Sequence, residues 1–126
     1  MRIQEAEDTM EGYTGLNAYK KAFDLDVNVY DFVKALPKEE LFGLSSQMRR
    51  AAVSVPLHIA EGHGRKTNPK EYRQFLNMAK GSCNEMQVLT DLCMALGYMR
   101  KEQHDVLHSG YDEVGKMLYG IISGLQ

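Results

Sequence analysis

The chain has 126 residues, 44% of them hydrophobic and 25% charged, with a formal net charge of −2 at pH 7. This length and composition are typical of one globular domain that buries a core without disulfides or metal. No apolar run approaches the roughly 20 residues of a membrane-spanning helix, and the acidic N-terminus lacks the apolar segment of a secretory signal. We therefore expect a cytoplasmic protein with no membrane contact.

The first predicted helix runs from Asn17 to Leu36. Its apolar residues are spaced 4, 3, 4, 3 and 4 along the chain, which places them on one helical stripe: Ala18, Ala22, Leu25, Val29, Phe32 and Leu36. Asn17 suits the N-cap position, and Pro37 disfavours helical geometry in the residue before it. We expect residues 1–16 to form a flexible acidic tail and residues 17–126 to form the folded domain.

The second predicted helix begins at Leu44 or Ser45 and ends at Gly62 and Gly64. Its apolar face consists of Leu44, Met48, Ala51, Ala52, Val55 and Ile59. Pro56 lies inside this pattern, where proline removes one backbone hydrogen bond and its ring meets the carbonyl of Ala52. The sequence therefore predicts a bend in this helix.

The third predicted helix has a clear start signal. Asn68 can cap it, Pro69 suits the first helical position, and Glu71 follows the cap by three residues, as in a capping box. The apolar pattern then continues to Gly97, a residue type that commonly ends helices.

The fourth predicted helix runs from Lys101 to Ser123 and contains Gly110, Gly115 and Gly120. Each glycine costs up to about 1 kcal/mol relative to alanine, so this helix is either the loosest element or packs against a neighbouring subunit. No strand pattern occurs, and the short loops favour antiparallel neighbours. The predicted fold is all-α, an up-down-up-down four-helix bundle.

The two cysteines, Cys83 and Cys93, both lie in the third predicted helix. Ten residues of helix span about 15 Å, which is too far for a disulfide between them. We interpret them as small buried side chains of a protein in a reducing compartment.

Two patterns could suggest a metal site. His58, Glu61 and His63 follow one another closely, but His63 falls between two glycines, and the two histidines are not four apart as in a zinc helix motif. Asp105 and His108 are three apart, as in one half of a di-iron site, without the other carboxylates that such a site needs. No serine lies in a nucleophile-elbow context. We therefore expect no catalytic residue, no metal ligand and no cofactor.

Charge is unevenly distributed along the chain. Residues 1–11 have four acidic residues and one arginine, a net charge of −3, whereas residues 49–80 have seven basic and two acidic residues, a net charge of +5. Positive side chains can contact phosphates without reading bases. The candidate nucleic-acid-binding residues are Arg49, Arg50, Arg65, Lys66, Arg73 and Lys80. Alternatively, these residues keep the bundle soluble and pair with Glu61 and Glu71.

The stretch from Gln47 to Arg65, QMRRAAVSVPLHIAEGHGR, resembles a run shared by bacterial four-helix-bundle proteins encoded in intervening sequences of large-subunit ribosomal RNA genes. The resemblance covers roughly residues 17–100. His58 and His63 depart from it, because relatives often carry a small polar residue and an aromatic residue at these positions.

This family is also similar to the accessory variability proteins of diversity-generating retroelements, which form ring-like homopentamers and bind a reverse transcriptase and nucleic acid through a basic surface. The resemblance implies a non-enzymatic adaptor that forms a homo-oligomer, with a pentamer favoured, and binds RNA, with a reverse transcriptase as a candidate partner. The alternatives are a protein-interaction scaffold without nucleic-acid binding, and a metal-dependent enzyme that would lose its metal on His58→Ala.

Overall fold

A computed structural model describes residues 12–125, and all regular structure within this range is helical. The four main helices are α1 Asn17–Val33, α2 Leu44–His63, α3 Pro69–Ala95 and α4 Lys101–Ser123. Two short 3-10 turns, Gly12–Gly15 and Lys38–Glu40, precede α1 and α2. Within the described range, the helices all fall short of the length and apolarity needed to cross a bilayer.

Each helix packs mainly on two neighbours. Helix α2 lies between α1 and α3, and α4 lies between α3 and α1, so the four helices close into an up-down-up-down bundle. The predicted all-α fold is confirmed. The largest fully buried side chains come from all four helices: Val29, Met48, Val55, Ile59, Leu76, Met86, Tyr111, Val114 and Leu118.

The start of α3 follows its sequence signal. Asn68 occupies the N-cap and accepts a hydrogen bond from the backbone N–H of Glu71 at 3.2 Å, and Pro69 is the first helical residue. At the other end, Gly97 has a φ of +80°, a left-handed conformation that glycine adopts without strain. The predicted cap and the predicted stop are both confirmed.

The ends of α1 differ from the prediction. The helix begins at Asn17, so the N-cap position belongs to Leu16, whose side chain is buried. It ends at Val33 rather than Leu36, because the chain tightens into i→i+3 bonds there: the N–H of Leu36 donates to the carbonyl of Val33 at 3.1 Å.

Packed structure begins before the predicted domain boundary at residue 17. The ring of Tyr13 meets the ring of Tyr19 edge-on, with centroids 5.1 Å apart, and Leu16 belongs to the core. The remainder of the predicted acidic tail, residues 1–11, lies outside the described residues.

Helix α2 continues through Pro56 without interruption. The prolyl ring is half-buried and faces α1. Proline has no N–H to donate to the carbonyl of Ala52, so one helical bond is missing at this position. The bend expected there remains a prediction.

The two cysteines are buried and form no disulfide with each other. The Cys93 Sγ donates to the Sδ of Met48 at 3.7 Å. Burial raises the pKa of the Cys83 thiol to about 12, with a smaller contribution from the nearby Asp26 carboxyl, and raises the pKa of Cys93 to about 11. Both thiols therefore stay protonated and unreactive at neutral pH, as expected for small apolar core residues.

The three glycines of α4 have different surroundings. A Cβ added at Gly110 would lie 2.5 Å from Leu25 Cδ2, so the missing side chain allows α1 and α4 to pack closely. An added Cβ at Gly115 or Gly120 would meet no described atom within 4 Å. Close packing therefore explains Gly110 but not the other two glycines.

These surroundings predict opposite effects for two alanine substitutions in one helix. Gly110→Ala should lower the free energy of unfolding by about 1–3 kcal/mol, because Leu25 is buried and has little room to move. Gly115→Ala should raise it by up to about 1 kcal/mol through helix propensity. Urea denaturation of the two variants measures both; destabilisation of equal size at the two positions would contradict the packing at Gly110.

Candidate functional site

Helix α1 carries a second apolar stripe that the core covers only at Tyr19. Tyr19, Phe23, Val27 and Tyr30 are spaced 4, 4 and 3 residues apart, so they share one face of the helix. Phe23 is 51% exposed and Val27 is 52% exposed, which is unusual for large apolar side chains aligned in one row.

This stripe forms one wall of a groove between α1 and α2. The other wall consists of Val53, Pro56, Leu57 and Ala60 of α2, and Tyr13 closes one end. The groove has a volume of about 520 Å³, and Leu57 on its rim is 58% exposed. Large exposed apolar surfaces are a common feature of interaction sites, so this groove is a candidate one.

The lining of the groove includes one buried carboxyl group, that of Asp26 on α1. The hydroxyl of Tyr111 on α4 donates to Asp26 Oδ1 at 2.7 Å. Burial raises the pKa of Asp26 to about 7, although the tyrosine hydrogen bond acts in the opposite direction. Burial, together with the charge of Asp26, also raises the pKa of Tyr111.

A second exposed apolar row lies on the outward side of α3. Val88, Leu92 and Leu96 are spaced four residues apart and are 64%, 44% and 53% exposed. Helices α1 and α3 are not sequence neighbours and occupy opposite corners of the bundle. The groove and this α3 row therefore face different directions.

Arg49 and Arg50, adjacent in α2, lie in different surroundings. Arg49 is half-buried at the end of α1 and α2 where Tyr30, Lys38 and Ser45 also lie. Arg50 projects about 100° away and is exposed on the outer side of α2, on the same stripe as Leu57. Neither guanidinium enters the core.

Arg65, in the turn between α2 and α3, contacts side chains of both helices. Its guanidinium lies 3.7 Å from a carboxylate oxygen of Glu61 and 3.5 Å from one of Glu71, and 4.9 Å from the centroid of the Phe75 ring. The side chain is 49% exposed. A phosphate at this corner would therefore have to compete with two carboxylates for Arg65.

Lys66 follows in the same turn and is exposed. Its Nζ lies 3.4 Å from Nε2 of His63, which is buried and packs edge-on against Tyr72. An ammonium group only donates hydrogen bonds, so His63 Nε2 accepts in this contact. His63, considered from sequence as a metal ligand, is thus engaged with its neighbours at the helix end.

Arg73 and Lys80 lie two turns apart on the side of α3 that faces α4. Lys80 Nζ sits 5.1 Å from the centroid of the Tyr119 ring, a cation–π contact with α4. Both side chains are half-buried. The six predicted cations therefore do not form one patch: Arg49 lies at the α1–α2 side of the bundle, and Lys80 lies at the opposite α3–α4 side.

His58 takes part in a polar link between α2 and α3. Its Nδ1 lies 3.0 Å from Ser54 Oγ, which is 2.7 Å from Ser82 Oγ, and its ring packs near that of Phe75. The sequence presents His58 as a metal-ligand candidate that is not favoured, and it gives no sign of this pair of serines. Both serines project from the middle of long helices.

Sequence reasoning also missed a group of histidines on α4. His104 and His108 are four residues apart, the spacing that places two imidazoles on one helix face, and Asp91 of α3 lies opposite them. In the sequence, the three-residue spacing of Asp105 and His108 suggests a different pairing.

Comparison with known proteins identifies the family. A family model described as 23S rRNA-intervening sequence protein matches residues 14–120. The chain belongs to this family. The match spans all four helices and nearly all residues that the structure describes, so the family is a property of the whole bundle and not only of the arginine-rich stretch of α2.

A solved structure supports the fold of this family member. The crystal structure of a protein of unknown function from the S23 ribosomal protein family of Bacteroides thetaiotaomicron superposes with a TM-score of 0.76. The two sequences are 24% identical, and the superposition covers 84% of this chain and 95% of the other. No curated protein matches the chain.

The position of Asp26 predicts a pH dependence of stability. Its folded pKa of about 7 lies above its ordinary value of 3.8, so between these values the folded state holds a proton that the unfolded state has lost. The free energy of unfolding should therefore fall as pH rises from about 4 to about 7 and then level off.

Asp26→Asn keeps an acceptor for Tyr111 and removes this titration. At pH 8 the variant should be more stable than the parent by about 1–3 kcal/mol, with little difference at pH 4. Asp24→Asn, an exposed change on the same helix, is the control. Denaturant titrations at several pH values provide the measurement; equal pH dependence in all three proteins would show that Asp26 is not titrating in this range.

Proposed function

We propose that this protein is a non-enzymatic cytoplasmic adaptor that assembles as a homo-oligomeric ring and binds structured RNA through exposed cations repeated around the ring. A pentamer is the favoured ring size, on the resemblance to retroelement accessory proteins. A reverse transcriptase is a candidate protein partner for the same reason.

The observation that carries the proposal is the apolar groove between α1 and α2. Its exposed rim residues Phe23, Val27 and Leu57 remain in contact with water in a single chain, and a second copy would cover them. The exposed α3 row of Val88 and Leu92 is a surface of matching character.

The positions of these two surfaces favour a ring. Because they lie on different sides of the bundle, contact between the groove of one chain and the α3 row of the next is heterologous, and each chain would use both surfaces. Heterologous contacts with a closing rotation produce cyclic assemblies. A ring would also bring together weak cationic sites that are scattered on one chain, which increases the attraction for a polyanion.

Three considerations favour RNA as the polyanion. The family description refers to intervening sequences of 23S rRNA, and the structural relative is assigned to a ribosomal protein family. Residues 49–80 have a net charge of +5, and Arg50 and Lys66 are exposed. Phosphate contact needs such charge but no base-reading geometry, which suits recognition of RNA by shape.

The second candidate is a protein-interaction scaffold that does not bind nucleic acid. It is favoured by the engagement of the cations within the chain: Arg65 contacts Glu61 and Glu71, and Arg49 lies beside the groove, where it can pair across a subunit boundary. Under this alternative, removal of the arginines reduces assembly, and there is no RNA affinity to weaken.

The proposed ring predicts that a charge in the groove dissociates it. Wild-type protein should have a solution mass several times that of one chain, and Leu57→Glu should reduce it to the mass of a monomer, because assembly would bury an unpaired carboxylate. Val106→Glu is a matched control, since Val106 on α4 is 57% exposed and lies outside both surfaces. Light scattering measures the mass; a wild-type monomer would contradict the ring.

RNA binding is tested by charge reversal at the exposed cations. Arg50→Glu and Lys66→Glu should each weaken the binding of a structured RNA. The dependence of log affinity on log salt concentration should also become less steep, by about 1 for each phosphate contact that is lost. Lys34→Glu on α1, a cation whose side chain is 79% exposed and which lies outside the candidate set, should change affinity less. Fluorescence anisotropy at several salt concentrations provides the measurement.

Light scattering on the same variants separates the two candidate functions. A variant that keeps its assembly state but binds RNA more weakly supports the adaptor. Absence of RNA binding by the wild-type protein at low salt, or dissociation of Arg50→Glu with no RNA affinity in any variant, supports the scaffold.

A further inference from the structure

Asp91, His104 and His108 form a compact group on the surface between α3 and α4. The Nε2 atoms of His104 and His108 lie 2.6 and 3.6 Å from the same carboxylate oxygen, Oδ1 of Asp91. One ligand atom from each residue lies within 4.8 Å of the others. The two imidazoles stack with centroids 5.0 Å apart, which aligns them along one face of α4.

His104 is oriented from behind by a second carboxylate. Its Nδ1 lies 3.0 Å from Oδ1 of Asp105, and the Nζ of Lys101 donates to Oδ2 of the same aspartate at 2.7 Å. The imidazole is only 12% exposed. Histidines that bind metals typically donate their other ring N–H to a carboxylate, which fixes the ring and increases the basicity of the ligating nitrogen.

A proton or a metal ion must lie between His104 Nε2 and the Asp91 carboxylate. Both ring nitrogens of His104 lie next to a carboxylate oxygen, but a neutral imidazole has only one N–H to donate. With Nδ1–H directed at Asp105, the contact between Nε2 and Asp91 requires either a second proton or a metal ion. The hydrogen bonds that His104 donates to Asp91 and, with a smaller effect, to Asp105 raise the pKa of His104 in the metal-free state.

One of the two nitrogen–oxygen distances matches a tetrahedral zinc site. Bonds of about 2.0–2.2 Å place neighbouring ligand atoms roughly 3.3–3.5 Å apart. The separation of His108 Nε2 from Asp91 Oδ1 already fits, and that of His104 Nε2 is about 0.8 Å too short. The Asp91 side chain is 58% exposed, so it has room to rotate away from His104.

We propose that Asp91, His104 and His108 bind one divalent transition-metal ion of the zinc class, with Asp105 positioning His104. Two imidazoles and one carboxylate suit Zn²⁺, Co²⁺, Ni²⁺ or Cu²⁺ and not Mg²⁺ or Ca²⁺, which prefer oxygen ligands. The fourth position faces solvent and takes water. The ion links α3, which carries Asp91, to α4, which carries both histidines.

Calorimetric titration of Zn²⁺ into the full, tag-free, chelator-stripped chain tests the site. The wild-type protein should bind one equivalent per chain, and His108→Ala should abolish this binding. Asp105→Asn should weaken it by about 10- to 100-fold, as expected for a residue that positions a ligand. His58→Ala is the control. His58 lies on α2, where its ring contacts Ser54, away from the α3–α4 surface, so this variant should bind Zn²⁺ like the wild type.

Thermal denaturation gives a second readout that does not depend on the heat of binding. At a free Zn²⁺ concentration about 100 times Kd, the melting temperature of the wild-type protein should rise by on the order of 10 °C. His58→Ala should show the same rise and His108→Ala none. Mg²⁺ should have no effect.

The proposal fails if the wild-type protein shows no saturable Zn²⁺ binding, since the three residues would then form only a proton-mediated ion pair. It also fails if His108→Ala keeps the thermal shift, or if the shift disappears in His58→Ala. These outcomes are independent of RNA binding, because none of the ligands belongs to the candidate RNA-binding set.

Discussion

Helix α1 has apolar side chains on two faces, and a four-helix bundle can bury only one of them. The core face packs against α2 and α4, and the second face, with Phe23 and Val27, forms the α1–α2 groove. Burial of large apolar side chains contributes about 1.5–3 kcal/mol each, so leaving this row in water forgoes a substantial stabilisation. Assembly would recover that stabilisation, and this gain is the physical reason for proposing a ring rather than a monomer.

The same constraint determines what the cations can do. On a single chain of net charge −2, the six candidate cations are divided between opposite sides of the bundle, and Arg65 is partly neutralised by Glu61 and Glu71. One chain alone would therefore attract RNA only weakly. In the proposed ring these contributions would add, whereas the scaffold alternative needs only the groove. Both candidate functions thus depend on assembly, and they differ only in the use of exposed charge.

The helices could be predicted from sequence because each depends on local information. The Asn68 cap, Pro69 and the stop at Gly97 act within a few residues, and the core stripes follow from periodicity alone. The Asp26–Tyr111 hydrogen bond could not be predicted, since it joins residues 85 positions apart and Asp26 lies off the apolar stripe of α1. The α1 outer row and the His104–His108 spacing are present in the sequence. Periodicity does not show that a helix leaves a second apolar face uncovered, and the two histidines form a group only with Asp91 of another helix.

Cross-linking between defined surfaces tests most directly whether the groove of one chain meets the α3 row of the next. Chains carrying Leu57→Cys and chains carrying Val88→Cys would be coexpressed and treated with a short thiol cross-linker; the native Cys83 and Cys93 are buried, with raised pKa values, and should not react. A heterologous ring predicts products that contain one chain of each kind and none from either variant alone. Self-cross-linking of Leu57→Cys, or no cross-linked product at all, would contradict it.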